Sequence, residues 1–325
     1  MYKDLIQARD LTKAVALLLL SCAGTLVSPL ASADEGGVSF WLPGQFGSMA
    51  AVPGDPGWSL PLIYFHSSVD GEGSREFATA GKITLGLEED IDLLLVVPTY
   101  AFAKPVWGGQ LTLSVAGVYG RVDVGVDATL TDPGGGVLSG SEKDSNTAIG
   151  DLFPSATLRW NNGVHNSMAY VMAGVPVGSY DVSRLANIGT NHWSLDAGGG
   201  YTYLNMKSGY EFSAVAGLTY NFKNSDTDYQ NGIDSHLDLA ASKFVSEKMH
   251  IGLVGYLYYQ LTGDSGQGAV LGDFESHVIG LGPQLGYFFN MGKKQAYFNV
   301  KAYWEAEAKY RPEGWNGWLT LALPL

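Results

Sequence analysis

The sequence predicts an all-β fold: a transmembrane antiparallel up-and-down β-barrel of about twelve strands (fourteen is the alternative count), with an irregular N-terminal segment at or in its lumen. Three observations predict it. Runs rich in Val, Tyr, Leu, Thr and Ala fill the chain after Trp58, with no long 3.6-residue period between them. Connections alternate between long and polar (VDGEGSRE, TDPGGGVLSGSEKDSN, DVSRLANIGTN, KNSDTDYQN, TGDSGQGAVLGDF, KYRPEGWNG) and tight (AKPVWGG, NNGVH, NMKSG, SEK, NMGKK). Several runs also place apolar and polar side chains on opposite faces. Tight turns at one end, longer loops at the other and a polar interior are the layout of an outer-membrane barrel.

Composition agrees. Of 325 residues, 46% are hydrophobic and only 16% charged, against roughly 25% charge in an ordinary soluble domain. No apolar run in the mature chain reaches the roughly 20 residues of a membrane helix. A formal charge of −13 speaks against a nucleic-acid partner, which needs a basic face. A single cysteine excludes a disulfide framework and a cysteine zinc site.

In chain order, Lys3, Arg9 and Lys13 precede an apolar stretch from Ala14 to Leu20, and Ala31-Ser32-Ala33 is followed by Asp34-Glu35. This is the pattern of a cleaved secretory signal over 1–33. Leu19-Leu20-Ser21-Cys22 also resembles a lipobox, which would make Cys22 a lipidated first residue; either reading exports the chain. Residues 34–57 form a Gly/Pro-rich segment, in which Pro43, Pro53 and Pro56 forbid a regular ladder or helix. Phe40, Trp41, Phe46 and Met49 make it too apolar to hang free. It is expected either to enter the lumen as a plug or gate, or to cap the barrel mouth.

The barrel is expected over 58–325. Its strands are read at 58–69, 77–103, 109–130, 146–161, 165–181, 190–205, 208–223, 231–246, 248–262, 275–290, 294–309 and 315–325. The second and third are long enough to be interrupted, the second near Glu88-Glu89-Asp90 and Pro98. Both termini fall on the tight-turn side, which requires an even number. The clearest alternation is QAYFNVKAYWEAEAKY: Ala296, Phe298, Val300, Ala302, Trp304, Ala306 and Ala308 share one face, opposite Asn299, Lys301, Tyr303, Glu305 and Glu307. Trp193, Leu195, Ala197, Tyr201 and Tyr203 likewise oppose His192, Ser194, Asp196 and Thr202. Ile233, Leu237 and Leu239 oppose Asp234, His236 and Asp238, with Ser235 the exception; Leu152, Leu158 and Trp160 oppose Asp151, Ser155, Thr157 and Arg159, with Phe153 the exception. GYLYYQL does not sort. Trp58, Trp107, Trp160, Tyr180, Trp193, Tyr203, Tyr220, Phe288, Tyr310 and Trp315 fall near strand ends, where barrels carry aromatic girdles.

The segments GGVSFWLPGQFGSMAAVPGDPGW, LIYFHSSVDG, VGSYDVSRLANIGTNHWSLDAGGGYTYL, FKNSDTDYQNGIDSHLDLAASKFVSEKMHIGLVGYLYYQLTGDSG and GLGPQLGYFF resemble the family named for the meta-pathway of phenol degradation. The resemblance covers nearly the whole mature chain. It implies a β-barrel in a Gram-negative outer membrane and uptake of aromatic or other hydrophobic compounds, and it supplies no binding residues to carry over. The C-terminus, WLTLALPL, departs from barrel practice by ending in Leu325 rather than an aromatic residue read by the barrel assembly machinery.

Motif by motif, no catalytic site emerges. Gly263-Asp264-Ser265-Gly266 matches a serine-protease nucleophile sequence but sits in a Gly-rich loop, where a turn is the expected reading. His236 with Asp238 and Asp234 reads as a polar lumen cluster, since no serine is placed to react. Pairs such as Asp226 with Asp228, or Asp264 with Asp273, lack the spacing of a calcium loop. Gly198-Gly199-Gly200 is expected to relieve crowding or bend a strand. The expectation is therefore a monomeric channel, not an enzyme, with no cofactor and no metal. Its partners are outer-membrane lipids, the assembly machinery and a small hydrophobic or aromatic solute. Asp151, Arg159, Asp196, Glu211, His236, Asp238, Asn299, Lys301 and Glu305 are the candidate lumen residues, and their excess of acid would disfavour anions. A structural or adhesive barrel and a barrel lipid hydrolase or acyltransferase are the competing readings.

Overall fold

In a computed structural model, residues 39–77, 81–131, 136–269 and 275–325 are described. The expected signal segment, Cys22 and Asp273 lie outside them. Thirteen strands form one antiparallel sheet: β1 (Gly57–Phe77), β2 (Gly81–Val96), β3 (Thr99–Ala101), β4 (Gln110–Thr131), β5 (Val137–Asn162), β6 (His165–Gly174), β7 (Ser194–Asn205), β8 (Tyr210–Asn221), β9 (Asp234–Ser246), β10 (Met249–Gln260), β11 (His277–Met291), β12 (Lys294–Lys309) and β13 (Glu313–Pro324). Each strand pairs with its neighbour, and β13 pairs back onto β1 from Ser59↔Pro324 to Asp70↔Glu313. The sheet is closed. β3 pairs with both β1 and β4 and continues the line of β2 after the break at Val97-Pro98, so the barrel has twelve staves, one of them interrupted. Proline lacks the ladder donor, which is why the break falls there and not at Glu88-Glu89-Asp90, paired throughout with Val124, Gly125 and Asp123.

The largest departure from the expected boundaries is in the first two hairpins. β1 runs to Phe77 and β5 begins at Val137; the polar stretches read as loops continue the ladder, for example Ser139↔Thr129 and Lys143↔Gly125. Backbone pairing in a hairpin needs no apolar side chain, so the ladder outlasts the membrane-facing pattern. Conversely, β6 stops at Gly174 and residues 175–193 form a long loop. Tight turns occupy the other end. Gly163 and Gly292 adopt positive φ there (68° and 63°), as two-residue hairpin turns require.

Exposure identifies the faces. On β12, Trp304 is 57% exposed while the adjacent Tyr303 is fully buried. Outward residues on other strands, including Leu94, Val171, Leu195, Leu218, Leu253, Leu281 and Leu319, form an apolar belt. A closed ladder satisfies its own backbone groups, and this exterior is what a hydrocarbon environment demands. GYLYYQL also resolves: Tyr256 and Tyr258 point inward and are buried, whereas Tyr259 faces out. Its failure to alternate reflects an aromatic rather than a polar interior. Among the expected girdle residues, Trp58, Trp107, Trp193, Tyr220 and Trp315 are exposed, but Tyr180 accepts a hydrogen bond from Asn224 within the loops and Phe288 packs against the inward Tyr297 at 4.6 Å. Leu253→Arg, on the belt, is expected to destabilise the folded barrel by roughly 2–4 kcal/mol, measurable by denaturant titration in lipid vesicles.

Candidate functional site

The interior is built around the segment preceding β1. Residues 39–53 lie inside the barrel: their partners come from β5, β6, β7, β8, β9, β11 and β12. The prolines keep this chain out of the sheet, so its backbone groups need side-chain partners, and the inward polar face supplies them. Asp238 accepts the amides of Gly44 (3.1 Å) and Phe46 (3.3 Å). The Lys301 ammonium donates to the carbonyls of Gly44 (2.6 Å), Phe46 (3.3 Å) and Gln45 (3.4 Å). One short peptide stretch is thus held by an anion on its amides and a cation on its carbonyls. Glu211 accepts the Met49 amide at 2.8 Å and the Ser48 hydroxyl at 2.6 Å, and Thr202 accepts the Ala51 amide at 3.1 Å. Met49 has φ of 64°, unusual for a bulky residue, and these bonds hold it there.

Aromatic stacking completes the seat. Trp41 lies 3.5 Å from the His236 ring, nearly parallel to it, and His236 approaches Asp196 and the Tyr170 hydroxyl at 3.1 Å each. Tyr170 and His236 fit because Gly198 and Gly217 face them: an added Cβ would come within 2.6 Å and 2.2 Å, respectively, of the Tyr170 hydroxyl oxygen. Part of the Gly198-Gly200 run therefore makes room for inward side chains.

The opposite half of the lumen differs. Between residues 39–46 and the inner faces of β1, β2, β4, β5, β6 and β13 lies a cavity of about 320 Å³. Its walls are mainly apolar, with Phe40, Leu95, Phe153, Tyr170, Met172 and Trp318 among them, and polar groups are gathered on β5. Toward the long-loop end, Asp151 is buried and folds the 175–193 loop inward. It accepts the amides of Gly178 (2.7 Å) and Thr190 (2.8 Å) and the Thr190 hydroxyl (2.8 Å). Ile188 and Thr190 thereby become part of the cavity wall. Asp144 grips the same loop through Arg184 at 2.8 Å and the Ala186 amide at 3.1 Å. Asp151→Asn is expected to accelerate amide exchange across 175–193 at least roughly tenfold, because bonds to a charged acceptor are lost; exchange mass spectrometry reads this directly.

Of the sequence-predicted residues, Asp151 and Arg159 line the cavity, as do Phe40, Trp41 and Phe46. Asp196, Glu211, His236, Asp238 and Lys301 sit on the other side, under the N-terminal segment. Asn299 donates to Leu285, and Glu305 accepts from Tyr256 and Gly314. Met49 lies near the tight-turn end, beside Tyr297 and Phe288. Sequence reasoning missed the apolar inner wall. Its signal was present in Leu93-Leu94-Leu95-Val96, a run apolar on both faces: Leu93 and Leu95 are buried inside while Leu94 and Val96 face out. The Ser-His contacts among the described residues, Ser242 with His250 (3.2 Å) and Ser194 with His192 (3.4 Å), lie inside the barrel rather than on its lipid face. The Gly263–Gly266 motif is a loop tie, with Asp264 accepting from Tyr229 and Gln260, and Ser265 bridged to Gln230 through backbone bonds. Asp226 accepts from Asn191 and Asp228 pairs with Lys223, which holds its carboxyl below the usual range. No group of three or more potential metal ligands occurs among the described residues.

A family model described as "Putative MetA-pathway of phenol degradation" matches residues 73–321. The chain belongs to the MetA-pathway of phenol degradation family. The match begins inside β1 and runs to β13. A solved COG4313 outer membrane channel from Pseudomonas putida F1 superposes with a TM-score of 0.61 at 15% identity, covering 83% of this chain and 96% of that one. At that identity the likeness concerns the fold, a closed antiparallel β-barrel. A Pseudomonas aeruginosa FadL homologue aligns more loosely, with a TM-score of 0.39 at 9% identity over 85% of this chain and 94% of that one. No curated protein matches the sequence.

Proposed function

We propose that this protein is a monomeric channel of the bacterial outer membrane, exported by a cleaved signal and inserted by the barrel assembly machinery, through which small hydrophobic or aromatic compounds pass passively. The observation that carries the reading is the apolar, aromatic-walled cavity enclosed between the N-terminal segment and the barrel wall. A barrel that served only as scaffold would have no use for it. Solute enters beneath the 175–193 loop, rests against Phe40, Phe153, Met172 and Trp318, and leaves past the N-terminal segment, which acts as plug and gate. The P. putida structure is itself described as a channel, and membership of a family named for phenol degradation agrees with an aromatic cargo.

The test is initial uptake of labelled phenol, benzoate, an alkane and a fatty acid by intact cells with and without the gene. Slower uptake of at least one aromatic in the deletion strain, restored by complementation, is expected. Unchanged uptake of all four overturns transport and leaves a structural or adhesive barrel.

A further inference from the structure

The cavity is electrically lopsided. β5 presents Asp151, Phe153, Ser155, Thr157 and Arg159 to it in succession. At about 3.3 Å per residue, its two charged ends stand roughly 26 Å apart along the strand. The Asp151 carboxylate is taken up by the three loop donors described above. Arg159, beside the tight-turn end, is different. Its Nε donates to the Ala50 carbonyl at 3.0 Å, which uses one of the five guanidinium N–H groups. It forms no ion pair among the described residues, and the polar groups that follow it along the β5 wall are hydroxyls, Thr157 and Ser155, the latter 2.7 Å from the Ser114 hydroxyl. Asp196, Glu211 and Asp238 do not reach this wall. The other interior cations stand elsewhere: Lys301 is committed to the Gly44–Phe46 carbonyls, and Arg311 lies over the Tyr258 ring, outside the cavity wall.

We propose that the cavity selects amphipathic monoanions, an aromatic or short aliphatic body ending in a carboxylate, and that Arg159 is the residue that recognises the charge. This names the substrate class of the proposed channel and rests on that reading. The body lies against Tyr170, paired with Thr157 two residues from Arg159, and against Met172 and Trp318, while the carboxylate meets the unpaired guanidinium nitrogens in the forked geometry that arginine offers carboxylates. A volume of about 320 Å³ sits at the lower end of small-molecule sites, roughly 300–1,000 Å³, and suits one ring with a short chain. The order of charges along β5 sets direction: the anionic end leads, away from Asp151 and toward the tight turns. Of the acidic candidate lumen residues, whose excess was expected to disfavour anions, Asp151 alone lines this cavity, and its carboxylate is engaged by Gly178 and Thr190.

Calorimetric titration of the detergent-solubilised full chain with 3-phenylpropionate and with its neutral amide tests this. Wild type is expected to bind the acid roughly ten- to a hundredfold more tightly than the amide, the range for one charge-assisted contact. Arg159→Gln is expected to bring the two affinities together without weakening the amide, and Arg159→Lys to retain part of the preference. Equal affinities in wild type, no binding of either compound, or an undiminished preference in Arg159→Gln overturns the assignment. The wild-type comparison stands even if the variants fail to fold. Vesicle flux separates the underlying reading: selective binding without flux above protein-free vesicles removes the channel but keeps the Arg159 site, whereas flux blind to charge in a wild type that binds both compounds equally removes the site but keeps the channel.

Discussion

Deleting residues 39–53 is expected to turn an obstructed lumen into a conducting one. Single-channel recording in planar bilayers should show long, resolved open steps for the deletion and mostly closed traces for the full chain. The segment occupies the polar half of the interior and reaches across to Arg159 through Ala50, so it closes one side of the cavity along its length. The barrel should survive its loss. Closure depends on backbone pairing between β1 and β13, which begins at Ser59 and is untouched. Glu211, Asp238 and Lys301 would lose the backbone groups that satisfy them now, a loss that is severe in a dry core. Here water enters the vacated space and hydrates them, so the stability cost is small compared with the change in permeability. Heat-modifiable migration on gels confirms folding, and a folded deletion variant that stays electrically silent would show that some other element closes the pore.

How much of this was legible in the sequence depended on which physical signal carried it. The closed barrel was, because alternation between lipid and lumen is written into runs such as Phe298–Trp304 and because loop lengths separate the two ends. Strand ends in the first two hairpins were not, since a ladder continues through polar residues without an apolar face to mark it. The inward charges on β7, β8, β9 and β12 stood out, yet their partners did not: nothing local to Glu211 or Asp238 announces that a chain segment more than 150 positions earlier supplies their donors. The apolar wall stayed hidden for the opposite reason. Where lumen and lipid faces are both apolar, as in Leu93–Val96, the period of two vanishes and the sequence reads only as hydrophobic. Polar residues were therefore the visible candidates for a solute path, although most of them hold the N-terminal segment and only Asp151 and Arg159 border the cavity.

The second large effect is expected from the pair of charges that clamps Gly44–Phe46. Lys301→Met removes three donations to consecutive carbonyls, and Asp238→Asn removes the anionic acceptor of two amides. Bonds to a charged group contribute roughly 1.5–3 kcal/mol each when well made. The longer ones here contribute less, so either change should raise the population with the segment released by about ten- to a hundredfold. Amide exchange in peptides spanning 40–53 should accelerate by that factor, while β9 and β12 stay protected by their ladders. The two substitutions act on one peptide stretch, so their combination should fall short of the sum. Each single change also strands the opposite charge in the interior, and the double variant removes both. Gly44 sharpens the comparison. It sits at φ of 82°, and a Cβ there would meet the Tyr303 ring at 2.7 Å, so Gly44→Ala should release the same segment by sterics with both charges intact. If all three variants raise exchange across 40–53 and uptake together, release of this segment is the gating step. If exchange rises and uptake does not, the segment is a passive lining and gating belongs to the 175–193 loop held by Asp151.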